Sequence, residues 1–337
     1  MENYHKYQIA QKLRAIFMLV LVGALFQSCE DGGDPVTYSY DPNTIGMMMD
    51  DNFNLSVACI AISRAELDVA LKEDGAYTFL APSDNAFAEA GYNDESIYAW
   101  GKSELTQTIN YHLINGEYDL EKLPFLFNQK LETEDGGRLF VTHWIKDSDT
   151  LLTVNGSVVQ TEKVTGSNGY LYVIDKVLKP YEHSLISEAI GDVEELTLFN
   201  YALELSGYKE ILNGEGPFTV FAPDNGAMRA AGYTSLQVIQ NTGTEVLREM
   251  VSYHIMADFR FVYDYVLTTG DRGEAQQNML NGYPVTVILT GNGSTGVSNG
   301  IRLQGVGNGT YVDLTRQNIY AGNGILHVIN GVLQVNQ

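Results

Sequence analysis

The chain has 337 residues, with 42 Asp and Glu against 20 Lys and Arg, a formal net charge of −22 at pH 7 and two cysteines. Such a negative field repels phosphate backbones and excludes nucleic acid as a natural partner. The length is too great for one ordinary domain and fits two, each large enough to bury its own core without disulfides or metal.

At the amino terminus Lys6, Lys12 and Arg14 precede an unbroken apolar run from Ala15 to Phe26, followed by Gln27-Ser28-Cys29. Twelve apolar residues are too few to span a bilayer as a permanent helix but suit the central segment of an export signal. The arrangement resembles a bacterial lipoprotein signal over residues 1–28, with Leu25-Phe26-Gln27-Ser28 as the lipobox and Cys29 as the lipidated first residue of the mature protein. Glu30-Asp31-Gly32-Gly33-Asp34 follows at the place where, in some diderm bacteria, an acidic run directs a lipoprotein to the outer face of the outer membrane. Residues 29–42, rich in Gly, Asp, Pro and Ser, read as a flexible acidic tether. Cys59 then has no partner and, among Leu55, Val57, Ile60 and Ile62, reads as a buried free thiol.

From Asn43 onward, Leu55, Ala58, Cys59, Ile62, Leu67 and Leu71 keep helical spacing over several turns. Tyr77 to Ala81 is rich in strand formers and stops at Pro82. Ser83 is placed to cap a short helix that Gly91 ends. Leu105, Ile109, His112 and Leu113 share one helical face. From about Lys130 the apolar period changes to two, and Asn155-Gly156 between Thr150–Val154 and Ser157–Gln160 is a strong hairpin signal.

The order then recurs. Thr78 to Tyr92 lines up with Thr219 to Tyr233, 141 positions later, with Pro223 for Pro82 and Asp224 for Ser83. A Tyr-His pair follows each copy, Tyr111-His112 and Tyr253-His254, and then Asn-Gly-x-Leu-x-Val-Ile at Asn168–Ile174 and Asn323–Ile329. Leu247, Met250, Val251, His254 and Ile255 repeat the apolar helix face, and Val285–Leu289 repeats the β pattern. Three ordered signposts at matching spacing mark a duplication. Gly226 and Met228 stand where the first copy has Asn85 and Phe87, and the second copy has a Gly-rich stretch, Gly291–Gly309, read as an insertion before the closing strand.

The Thr-x-Phe/Leu-Ala-Pro block, the Tyr-His pair and the closing segment Asn168–Leu178 resemble the fasciclin domain, a module associated with cell adhesion and extracellular matrix. The resemblance covers residues 43–180 and 183–337. It implies an α+β fold, each domain a wedge-like β-sandwich with packed helices, in agreement with helices first and an antiparallel β region after them.

Catalytic and cofactor motifs are missing. The six histidines form no His-Glu-x-x-His, no Gly-x-Ser-x-Gly elbow occurs, and no calcium loop stands among the acidic residues. Gly291–Gly296 fits the letters of a dinucleotide fingerprint, but Val297–Gln304 is punctuated by Gly and Asn, so the segment reads as a loop. No metal, cofactor or enzymatic activity is expected. In animal members of the family the segment around the Tyr-His pair is implicated in integrin binding; here Pro82, Tyr111, His112, Pro223, Tyr253 and His254 read as structural. Tyr98, Trp100, Tyr118, Trp144 and Tyr265 are the aromatic candidates for stacking a sugar. The expectation is a surface-exposed outer-membrane lipoprotein that binds a glycan, matrix or cell-surface protein. The alternative is an accessory subunit of an outer-membrane nutrient transporter.

Overall fold

The computed structural model describes residues 40–134, 136–160, 163–270, 272–291 and 298–336. Cys29, the signal read over residues 1–28 and nearly all of the tether lie outside the described residues, as does most of Gly291–Gly296.

The repeated block folds as its composition dictates. Strand β1, Tyr77–Pro82, is buried at every position but its first. It lies between β2, Leu113–Asn115, antiparallel to it, and β8, Gly169–Ile174, parallel to it. The second half repeats this with β9, Phe218–Pro223, between β10, Ile255–Met256, and β15, Gly324–Ile329. A strand covered on both faces needs a continuous apolar run rather than an alternating one, and each filled Phe or Leu position contributes about 1.5–3 kcal/mol. The parallel pairing departs from the expected all-antiparallel region: the closing segment returns beside the first strand only after the chain has built a second β layer. Pro82 and Pro223 end their strands. Ser83 Oγ accepts the Ala86 N–H at 3.2 Å and Asp224 Oδ1 the Ala227 N–H at 2.7 Å, capping the helices Asp84–Glu89 and Asn225–Ala230. Such caps contribute about 1 kcal/mol each. Gly91 and Gly232 close those helices with φ of 88° and 97°.

The first half has a second four-stranded sheet made of β3, Gln129–Glu132, β4, Arg138–Lys146, β5, Asp149–Val154, and β6, Ser157–Val158. β7, Val164–Gly166, completes the sheet of β1 and β8. Asn155 and Gly156 turn β5 into β6 with φ of 49° and 72°, as the Asn-Gly pair requires. Asp147 and Ser148, φ 53° and 73°, make the same kind of turn between β4 and β5; lacking glycine, it was not legible in sequence.

In the second half one sheet of seven strands runs β10-β9-β15-β14-β13-β12-β11. β11 is Glu274–Asn278, β12 Pro284–Gly291, β13 Ser298–Gly305 and β14 Val312–Ala321. The stretch Gly291–Gly309 is not all loop: eight of its residues, Ser298–Gly305, are β13, paired antiparallel with β12. Ile301 and Leu303 point into the core, and this alternation of buried apolar residues prevails over the flanking glycines.

The helical spacing from Leu55 to Leu71 is not one helix. Ser56–Arg64 is helical, Glu66 then adopts φ 63°, and Ala70–Lys72 forms a single 3₁₀ turn. Cys59 is a free, half-buried thiol on the apolar face of that helix. Burial and the nearby Asp50 carboxylate raise its pKa to about 11, which keeps it in the neutral thiol form at pH 7, packed as a small apolar group.

Each half has its own helix-side core and sheet-side core. A fifth, small cluster joins the halves: Phe259, Phe261 and Ile325, with Phe140 and Tyr320 against them.

Candidate functional site

The two Tyr-His pairs have the same internal bonding in both halves. His112 Nδ1 meets the Thr108 carbonyl at 2.7 Å and its Nε2 accepts the Leu178 N–H at 2.9 Å. His254 Nδ1 meets the Met250 carbonyl at 2.7 Å, and its Nε2 accepts the Leu333 N–H at 3.0 Å. An acceptor at Nε2 fixes the proton on Nδ1, and the ring is neutral. Burial holds the His254 pKa down at about 4. The tyrosines match as well: Tyr111 donates to the Arg138 carbonyl and accepts from Asn155, and Tyr253 donates to the Pro284 carbonyl and accepts the Val306 N–H. All four side chains are buried. They tie the helix end to the closing segment and the β layer.

The sequence reading missed the work of the asparagines in the Asn-Gly signposts. Asn168 accepts the Ile45 N–H at 2.8 Å and donates to the Leu71 and Glu73 carbonyls; Asn323 accepts the Ile186 N–H at 2.7 Å and donates to the Leu212 and Gly214 carbonyls. Each pins the start of its half to the turn before the central strand. Their occurrence at matching positions in both copies was the available signal.

The aromatic candidates do not converge. Trp100 is 4% exposed and stacks on Tyr92 with ring centroids 4.0 Å apart. Tyr265 is 1% exposed, its hydroxyl on Met256 Sδ. Both are core residues and present no face to a ligand. Tyr98, 62% exposed, lies beside Arg64, whose guanidinium also bonds the Ile97 and Trp100 carbonyls. Tyr118 is 42% exposed, in the segment after β2, and Trp144, on β4, packs against Phe127 from the segment before β3. Among the described residues no ring contact joins any two of the five.

What the fold does bring together is the two halves. Asp264, on the helix Val262–Thr268 of the second half, is fully buried. It accepts the Thr142 hydroxyl at 3.2 Å and the Asn128 amide at 3.1 Å, both from the first half, and the Phe261 N–H at 2.9 Å. Burial pushes its carboxyl up to about 6 against these hydrogen bonds and the Arg260 charge. Asn128 also donates to the Phe259 carbonyl at 2.6 Å, and Lys146 to the Val266 and Thr269 carbonyls. Phe140 of β4 sits 4.2 Å from the Phe259 ring and edge-on to Tyr320.

Beside this joint run two adjoining clefts of about 520 and 540 Å³, within the size range of ligand sites. Lys176, Arg316 and Gln317 line both. Lys176 and Lys179 follow the end of β8, where Asp175 fixes the chain by accepting the Ser157 hydroxyl and the Val158 N–H, each at 2.7 Å. Arg316 and Gln317 lie on a double irregularity of β14 between Leu314 and Ile319. Asn318, φ 59°, holds that bulge by donating its N–H to His327 Nδ1 and accepting the Val262 N–H. A bulge re-aims the side chains it carries. Among the described residues no group of three or more metal-ligating side chains occurs, and no helix is long and apolar enough to cross a membrane.

A duplicated α+β scaffold, whose motif side chains are engaged in holding each copy together, defines a tandem module. The family model for the fasciclin domain matches residues 53–180 and 194–335, and the chain belongs to that family. Human periostin is 27% identical over 195 residues, 58% of this chain and 22% of periostin. Mouse stabilin-1 is 24% identical over 290 residues, 82% of this chain and 10% of stabilin-1. The chain thus spans a small part of these relatives. A domain pair from the insect cell adhesion molecule fasciclin I is 18% identical with a TM-score of 0.41, covering 85% of this chain and 94% of that one.

Proposed function

We propose that this protein is a non-catalytic binding and adhesion module, two fasciclin domains held at the bacterial cell surface by a lipid on Cys29. The observation that carries the reading is the bonding of the Tyr-His pairs. The family's most distinctive polar side chains are buried and fully engaged, and the same bonds recur in both copies. A histidine whose two nitrogens are satisfied inside the protein is available neither as a base nor as a ligand-binding group. Binding is left to the outer surface and to the clefts between the halves. Membership in the fasciclin-domain family, known from cell-adhesion proteins, supports the same reading. Two domains fixed side by side present their surfaces together, so weak contacts combine.

The test is a binding screen of the purified full chain against arrayed glycans, matrix proteins and cell-surface proteins, with membrane fractionation and mass spectrometry of the Cys29 peptide. Saturable binding to at least one class and an acylated Cys29 are expected. Turnover of a substrate, or no binding anywhere, would overturn the reading.

A further inference from the structure

We infer that β11, the outer edge of the seven-stranded sheet, is a self-association edge: a second copy of this chain pairs its own β11 antiparallel to it, about a two-fold axis at Gln276. The inference goes beyond the binding-module reading, since it assigns a definite partner to one edge of the outer surface.

The first support is free backbone. β11 pairs with β12 without a break in register, and no strand lies on its other side. The Met279 N–H bonds the Tyr283 carbonyl at 3.0 Å and the Leu289 N–H bonds the Gly273 carbonyl at 2.8 Å, which fixes where the bonded pairs fall. Antiparallel bonding alternates, so Ala275 and Gln277 turn their N–H and C=O toward β12, while Glu274, Gln276 and Asn278 turn theirs away. These three residues are exposed. At Leu280 the outward N–H is taken by the Ile255 carbonyl of β10 at 2.7 Å, and the open stretch ends there.

The second support is what this edge lacks. Sheets blunt their edges with short strands, charges, proline or bulges. Among the described residues the other edge strands comply: β2 and β7 have three residues, β6 and β10 have two, and β3 has four, with Lys130 paired to Glu132 at 3.5 Å. β11 has five, with one charge and neither proline nor bulge. The bond from Leu280 to Ile255 matches that from the Glu134 N–H to the Leu113 carbonyl in the first half. Counting back from it, Lys130 and Glu132 stand where the second copy has Gln276 and Asn278. The outward positions are thus charged in one copy and neutral amides in the other.

The third support is self-complementarity. With the axis at Gln276, that residue faces its own counterpart and Glu274 faces Asn278 of the second copy, so every outward N–H and C=O finds a partner. An axis at Glu274 would set two carboxylates face to face, which destabilises a strand pair. One at Asn278 would call on Leu280, already bonded to β10. Residues 272–283 carry one cation, Arg272, and one anion, Glu274, a neutral strip in a chain of net charge −22. The copies therefore approach there without meeting like charges. The contact is smaller than a standard interface, so the dimer is weak, and salt strengthens it by screening the acidic surface around it.

The test is sedimentation velocity of the purified full chain in excess detergent, from micromolar to half-millimolar protein at low and high salt, with hydrogen exchange resolved to single amides. Dimers that grow with concentration and with salt are expected, with slowed exchange at Glu274, Gln276 and Asn278. Gln276→Lys and Gln276→Glu each place like charges on the axis of an exposed site. Each should weaken dimerisation at least tenfold at unchanged melting temperature, and mixing the two variants should restore it. Gln237→Lys, the same change on the helix Leu236–Gln240, should match the wild type. A monomer under all conditions, undiminished dimers of either Gln276 variant, or slowed exchange centred on another surface would each overturn the proposal. Slowed exchange of the same three amides by a matrix or cell-surface target, in a chain that stays monomeric, would also overturn self-pairing while leaving the binding-module reading in place.

Discussion

Thr142 of the first half donates its hydroxyl to the buried carboxylate of Asp264 in the second, at 3.2 Å. Asp264 also receives the Asn128 amide and the Phe261 N–H, so one side chain satisfies donors from both halves. Asp264→Ala would leave all three donors without this acceptor in a dry joint. The expected cost is about 2–4 kcal/mol, read by chemical denaturation. A larger radius of gyration in solution scattering should accompany it as the halves separate; an unchanged midpoint would contradict the role of the joint.

Stability should fall on acidification, and the sign follows from three buried groups. Burial lowers His254 and His327 to about 4, so their contribution is complete above the ordinary value of 6.5 and is lost as pH falls toward 4. Asp264, raised to about 6, acts oppositely: its contribution is complete below 3.8 and is lost as pH rises through 6. Two histidines outweigh one aspartate, and from pH 7 to 4.5 these groups together remove roughly 3 kcal/mol. Denaturant midpoints at the two pH values measure it. His327→Tyr, the residue that stands at the matching position 172, should reduce the loss to under about 1 kcal/mol.

The Tyr320 hydroxyl is buried with no hydrogen-bond partner among the described residues, although its ring packs on Phe140, Phe259, Phe261 and Tyr181. Tyr320→Phe keeps the ring and removes the orphaned group. It should be neutral or stabilising by up to about 1 kcal/mol; a drop in melting temperature of several degrees would mean that the hydroxyl has a partner.

Gly169 adopts φ 142°, and a Cβ there would lie 1.9 Å from the Tyr77 carbonyl oxygen across the β1–β8 pairing. Gly169→Ala should cost more than about 3 kcal/mol, because backbone rather than a movable side chain is in the way. Gly101, with nothing within 4 Å of its would-be Cβ, is the control: Gly101→Ala should shift the midpoint by under about 0.5 kcal/mol.

The amino-acid order alone established what is local or repeated. The strand, proline corner, capped helix and glycine stop recur as one block because each step depends on near neighbours, and the Asn155-Gly156 turn follows from backbone preference. Burial of the two histidines was legible because they share a helix face with Leu and Ile. Only the tertiary structure decided between Tyr98 and Trp100: they lie two residues apart on a short turn, and Tyr92 from an earlier segment covers one of them. It likewise decided that β13 is a strand, since its partner β12 and the core beneath it select the alternation. The joint at Asp264 and the cleft at Lys176 and Arg316 bring together residues more than a hundred positions apart. Their meeting is set by how two finished cores pack, which no pattern within either copy encodes.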